Sequence, residues 1–279
     1  MPRARLLAPA GLLLSIAALT VATPRAAHAE DTVAEPDLST HVPLTLGLGF
    51  LYFLSEAPLK GPLSKDTCRW CGPVIFDDGV RDALLWDDTH QAHDISNWTG
   101  FIGAPVFALG GLALAGHLDD RGGTWLDDGL IVAESAAIAG VINFAVKAAV
   151  ARERPFVHQL APADKPNTAR PQDNNQSFYS GHSTLTMSLA VSAGTVASMR
   201  GYQWAPALYG GGIALSLTTG YMRIAADKHW STDVLTGWLL GAAVGYAVPR
   251  FLHRKDSEIT PLATSSPSGA SMVGVAMRW

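Results

Sequence analysis

Charge is scarce in this chain. Only 16% of its 279 residues are Asp, Glu, Lys or Arg, where soluble domains carry about 25%. The basic residues are scattered and the net charge is −4, so no cationic face is built and no nucleic-acid partner is expected. Cysteine is nearly absent. Cys68 and Cys71, in "CRWCG", are the only two, and two thiols cannot by themselves supply a four-ligand zinc site. No thioredoxin-like strand pattern surrounds them, which argues against a redox motif. Internal repeats are missing, and the one low-complexity tract is the Ser/Thr/Pro-rich 259–268.

Apolar residues fill the space that charge leaves. They make up 48% of the chain, with a mean hydropathy of +0.17. The N-terminus has the layout of a signal peptide: Arg3 and Arg5, then "LLAPAGLLLSIAALTVA", then the small-residue site "AHA" at 27–29. Residues 1–29 are therefore read as a leader that exports the chain, the rival reading being an uncleaved anchor. In an oxidising compartment Cys68 and Cys71 are expected to form a disulfide.

A leader segment follows at 30–98. It contains the apolar stretch 43–54 and an acidic CxxC region with Asp77, Asp78, Asp82, Asp87, Asp88 and Asp94. "VRDALLWDD" within it reads as a short amphipathic helix. The Asp doublets lack ordered ligand spacing and read as caps and solvated faces. His90, His93 and Asp94 are not read as a metal site either.

Five apolar segments come next, at 99–117, 129–150, 184–199, 205–222 and 234–250. They lack strict alternation, so they read as helices, and the core at 99–253 as an all-α bundle of about five to six helices. Several are marginal for the ~20 residues a span needs, and the loops show no positive-inside bias. Membrane association is expected, with a buried soluble bundle as the alternative. The tail, 254–279, ends on a weakly alternating "SMVGVAMRW". One strand cannot close a barrel, so it is expected to be a docked tail.

The loop 151–182 holds Pro155, Pro162, Pro166 and Pro171 and no apolar period; a long loop of this kind is often functional. Around it lie three short motifs at helix ends: "KAAVARERP", "SFYSGHS" and "RIAADKHWSTD". Lys147, Arg154 and Arg223, if they converge, suit an anion with several oxygens. Ser180 and Gly181 precede a helix whose N–H groups and dipole add donors, and Gly181 allows close backbone approach. Asp233 lies four residues after His229, which on a helix is the same face. A carboxylate on Nδ1 would leave Nε2 as a nucleophile, and His182 would be the acid that protonates the leaving oxygen. No metal and no cofactor is called for.

In order and spacing these motifs resemble the signature of the type 2 phosphatidic acid phosphatase and vanadium haloperoxidase superfamily: K-x6-R-P, then P-S-G-H, then S-R-x5-H-x3-D. Tyr179 stands where Pro is usual, and Met222 where Ser is usual. The resemblance covers about residues 99–250. It implies a helical core with the site at one end. In the implied roles Lys147, Arg154, Ser180, Gly181 and Arg223 bind phosphate, His182 is the acid, His229 the nucleophile and Asp233 its partner.

The expected function is metal-independent hydrolysis of a phosphomonoester or pyrophosphate through a phosphohistidine, with the membrane and a phosphorylated lipid as expected partners. The alternatives are a soluble exported acid phosphatase, a vanadate-dependent haloperoxidase and a non-catalytic phosphate-binding protein. The site is expected to face the periplasm or exterior. If 43–54 does not span, the mature N-terminus shares that side.

Overall fold

The computed structural model describes residues 31–74, 76–255, 258–265 and 271–278. The leader 1–29 lies outside the described residues. Helix α1 (Leu38–Glu56) starts where Asp37 caps the Ser39 N–H. Short helices α2 (Lys60–Leu63) and α3 (Asp77–Leu84) follow. Helix α4 (Thr89–Trp98) runs through two wide π-turns, Thr99–Gly103 and Val106–Gly110, into α5 (Gly111–Leu118). Then come α6 (Trp125–Val150), the short α7 (Pro155–His158), α8 (Gly181–Arg200), α9 (Ala205–Ala225) and α10 (Ser231–Ala247), the last extended by a π-turn over Val248–Leu252.

Each of the five apolar segments is a helix, and the fold is an all-helical bundle. The boundary expected at 98/99 falls inside one continuous helical stretch. Helix α1 packs along α6, so the segment 31–98 shares the core rather than preceding it. The tail pairs with itself. Strands β1 (Glu258–Ser265) and β2 (Ser271–Arg278) form an antiparallel hairpin in register from Glu258–Arg278 to Ser265–Ser271. The alternation of 271–278 finds its partner in the adjacent segment.

Helix α8 is the centre of the bundle, touching α6, α9 and α10. Its length is mostly buried, yet it is rich in Ser and Thr. Several of those hydroxyls bond carbonyls one turn back: Thr184 bonds the Ser180 carbonyl at 2.7 Å and Thr195 that of Val191 at 2.7 Å, the local bonding available to buried Ser and Thr; Ser188 Oγ has no partner. The small side chains let α10 come close. A Cβ on Gly237, Gly241 or Gly245 would stand 2.7, 2.5 and 2.6 Å from the carbonyls of Ser180, Thr184 and Ser188. This close helix contact through small residues brings the two ends of the active-site motif together.

Four helical stretches are long and apolar enough to cross a membrane: Leu38–Glu56, Thr89–Leu118, Gly122–Val150 and Ser231–Leu252. Their outer faces expose large apolar side chains, among them Leu46, Phe50, Phe53, Val106, Leu114 and Leu239. Apolar surface on this scale marks membrane association rather than a monomer bathed in water. The bundle has two distinct ends. Residues 31–34 pack at the C-terminal end of α8, where Thr32 N–H bonds the Met199 carbonyl. The motif residues gather at the other end.

Candidate active site

Three chain reversals at one end of the bundle bring the motifs together. Helix α6 ends when Ala151 takes a left-handed conformation, φ 47°, and redirects the chain into Arg152–Arg154. Ser180 caps α8 and Gly181 opens it. Helix α9 ends just beyond Arg223, and α10 begins at Ser231. Lys147, Arg154, Gly181, His182, Arg223 and His229 line one cavity of about 690 Å³, shared with Tyr52, Phe53, Phe101 and Phe156.

The cations are held but not consumed. Arg154 donates Nε–H to the Asp173 carbonyl and a terminal N–H to that of Lys228, at 2.8 and 3.0 Å. Lys147 Nζ lies 3.5 Å from Glu56 and would stand 3.2 Å from a Cβ on Gly181. No larger residue fits at 181 without displacing the ammonium. Arg223 donates to His93 Nδ1 at 3.0 Å and to Ser96 Oγ at 3.1 Å, and its buried Nε has no partner. Ser180 sits differently from expectation. It is fully buried, and its hydroxyl is occupied by Ser183 N–H at 3.4 Å and Ser183 Oγ at 3.0 Å. It caps the helix that presents Gly181 and His182.

His229 and Asp233 do not share a helical face. His229 precedes α10, whereas Asp233 occupies its first turn. The expected Nδ1–carboxylate bond is absent: the separation is 3.7 Å, and Nδ1 instead donates to the Ser177 carbonyl at 2.8 Å. The carbonyl can only accept, so Nδ1 carries the proton and Nε2 keeps its lone pair. The tautomer is the one expected, set by a different group. Asp233 acts one step back. It takes the hydroxyl of Ser177 and the N–H of Trp230, and it pairs with Arg152 at 2.6 Å. Burial, then the nearby Arg154, Arg223 and Lys147, hold the His229 imidazole well below its ordinary pKa, which favours the neutral ring.

Sequence reasoning missed several groups. Arg152 is fully buried between Asp77 and Asp233, 2.6 Å from each, with the Trp70 ring 3.9 Å from its guanidinium carbon. Of the two readings the sequence offers for Asp77, a cap or a solvated face, the structure shows the cap. Asp77 is buried, and it caps α10 through Ser231 Oγ at 2.6 Å and Thr232 N–H at 2.9 Å. The CRWC turn that carries Trp70 is closed by a Cys68–Cys71 disulfide. No spacing rule links residues 77, 152 and 233, so nothing local announces the triad.

His93 and Asn97, one helical turn apart on α4, were also missed. The Asn97 amide bridges His93 Nε2 at 3.2 Å and His182 Nε2 at 2.9 Å. Arg223 has donors only, so His93 Nδ1 accepts from it. The Asn97 NH2 faces His93 Nε2 and the amide oxygen faces His182 Nε2. An amide oxygen only accepts, so His182 Nε2 donates to it. A continuous chain thus joins Arg223 to His182. Tyr179 is buried and packs with Asn143, and Met222 packs beside Trp86 and Ala92; neither departure from the usual motif lines the cavity.

Known proteins share this stretch. The PAP2 superfamily model matches residues 128–257. Phospholipid phosphatase 1 of Rattus norvegicus is 39% identical over 88 residues, 29% of this chain and 31% of the relative. That of Mus musculus is 36% identical over 92 residues, 31% of this chain and 32% of the relative. The matched part is thus about a third of each relative's length. A transmembrane PAP2 type phosphatidylglycerolphosphate phosphatase from Bacillus subtilis aligns over 75% of this chain and 93% of its own, at 18% identity and a TM-score of 0.45. The PAP2 superfamily model thus spans all three motifs, from Lys147 to Asp233.

Proposed function

We propose that this chain is a metal-independent phosphatase that hydrolyses a phosphomonoester or pyrophosphate of a lipid. The observation that carries the reading is the convergence of Lys147, Arg154, Arg223 and the α8 N-terminus on a cavity that also holds two histidines with free ring positions. The aromatic walls at Tyr52, Phe53, Phe101 and Phe156 suit an acyl or isoprenyl chain beside the phosphate. The names of the curated relatives, phospholipid phosphatases, support a lipid substrate.

The phosphate would displace Glu56 from Lys147 and take donors from Lys147, Arg154, Arg223 and the Gly181 end of α8. His229 Nε2 attacks phosphorus, the P–O bond to the leaving group breaks, and protonated His182 gives its proton to the leaving oxygen. Water then attacks the phosphohistidine with His182 as base, the P–N bond breaks, and phosphate leaves. The cations stabilise charge on the transferred group throughout, the dominant form of catalysis for such transfers. Asp233, through Ser177 and Arg152, keeps the His229 ring in place.

Phosphate release from a chromogenic aryl phosphate, in excess chelator, tests the reading. Turnover should persist after chelation, and vanadate should inhibit rather than confer halide oxidation. Loss of turnover on chelation, restored by a divalent ion, would sink the mechanism.

The site is read as facing the periplasm or exterior. Helix α1 runs from the residue-31 end of the bundle to Glu56 at the cavity. In a bundle that crosses the membrane, an outward site therefore places residue 31 on the inner side. A leader cleaved at Ala29 on the outer side would instead turn the site inward. A cysteine at Arg170, on the rim of the cavity, in a Cys68→Ser/Cys71→Ser background, distinguishes these arrangements. It should react with a membrane-impermeant maleimide in intact cells; protection until lysis would reverse the orientation.

A further inference from the structure

At the opposite end of the bundle three ligand-type side chains from separate parts of the chain meet. His41 stands in the first turn of α1, Glu134 in the third turn of α6, and His253 just beyond the π-turn that follows α10. His41 Nδ1 and His253 Nε2 both point at the same oxygen, Glu134 Oε2, at 2.9 and 3.1 Å. One ligand atom from each residue lies within 4.8 Å of the other two. Glu134 and His253 are both 1% exposed, while His41 is partly open.

We propose that His41, Glu134 and His253 form a structural zinc site that clasps α1, α6 and the end of α10. The donor set points to the metal. Two imidazoles and one carboxylate suit a first-row transition ion such as zinc, whereas calcium and magnesium take shells of oxygen ligands. Ligands about 2.0–2.2 Å from a tetrahedral ion stand about 3.3 Å apart, close to the spacing around Glu134. The partly open edge at His41 leaves room for a water in the fourth position.

An independent observation is the second carboxylate oxygen. Glu134 Oε1 is buried and has no hydrogen-bond partner. Two imidazole N–H groups crowd one oxygen while the other is left bare, an arrangement that costs free energy in an apolar setting. An ion between the three side chains changes this. Both imidazoles turn lone pairs rather than N–H groups inward, and either carboxylate oxygen ligates. An ionisable residue inside a stretch able to cross the membrane also calls for a compensating charge, and a divalent ion supplies it. The site is remote from the phosphate cavity: Glu134 and Lys147 are thirteen residues apart on α6, about 20 Å along a helix. It is separate from the proposed catalysis and does not depend on it.

The test uses the full chain purified in detergent, incubated with zinc and passed through gel filtration. Elemental analysis should find about one zinc per chain in the wild type and none in Glu134→Gln or His253→Gln. Cobalt in place of zinc should give the intense visible absorption of a four-coordinate site. Zinc should raise the melting temperature of the wild type and leave that of the variants unmoved. Should the buried variants fail to fold, His41→Gln, at the open edge, replaces them. A folded wild type that keeps neither zinc nor cobalt, or a folded variant that keeps as much metal as the wild type, would overturn the proposal.

Discussion

His229→Ala should abolish turnover on every ester, and His182→Ala should not. In the proposed mechanism the first variant removes the nucleophile, so no phosphoenzyme forms whatever the leaving group. The second removes only the proton donor. General acids typically contribute about 10²–10⁴-fold, and the contribution is largest where the leaving oxygen is strongly basic. An aryl phosphate expels a stabilised phenolate with little help, whereas a lipid alkoxide needs the proton. His182→Ala should therefore retain measurable aryl phosphatase activity and lose far more on an alkyl or lipid phosphate. Asn97→Leu should give a weaker version of the same split, because it removes the amide that holds His182 Nε2 and leaves the imidazole present. Single-turnover kinetics on both ester types, with acid-labile phosphate trapping, check the assignment. Trapped phosphate in His229→Ala, or equal losses on both esters in His182→Ala, would reverse the roles.

Arg152→Met should be the most destabilising single change in the described residues that touches no substrate. Arg152 lies between two buried carboxylates, Asp77 and Asp233, at 2.6 Å from each, and all three side chains are inaccessible to water. Breaking a buried pair by removing one partner typically costs about 3–5 kcal/mol, because the other charge stays buried without compensation. Here two carboxylates lose their partner together. Adding Asp77→Asn to Arg152→Met should recover part of the loss, since it removes one of the stranded charges. The recovery is read as a non-additive term in a double-mutant cycle of thermal or denaturant unfolding. Strict additivity would mean that the triad is not one unit. Activity should fall with stability in Arg152→Met, because Asp233 orients Ser177, and the Ser177 carbonyl orients His229.

The helices were legible because their cause is local. A run such as 129–150, apolar and free of alternation, leaves the backbone little choice but to satisfy its hydrogen bonds internally, and α6 ends with it at Val150 after starting four residues earlier, at Trp125. The start of the second long helix was not legible. Its first turns, 89–98, are polar because they face the cavity, so apolar patterning began the element ten residues late. The hairpin at 258–278 was half visible. Its second strand alternates, but its partner, "EITPLATS", carries a proline that conceals it.

The motif residues were legible from chemistry: cations and histidines at the ends of apolar segments have no packing role, and the stretch that holds them is the one the PAP2 superfamily model matches. By itself the sequence determined which residues meet at one cavity: Lys147, Arg154, Gly181, His182, Arg223 and His229 all line it. Only the tertiary structure decided how they are held. The groups that set the histidines, namely the Ser177 carbonyl, the Asn97 amide and the Asp77–Arg152–Asp233 triad, are brought in from α3, α4 and the loop after α6. A hydrogen bond acts over about 3 Å in space regardless of separation along the chain, so periodicity and spacing carry no trace of it. The same reason hid His41, Glu134 and His253, which lie more than 90 residues apart in sequence and within 4.8 Å in the fold.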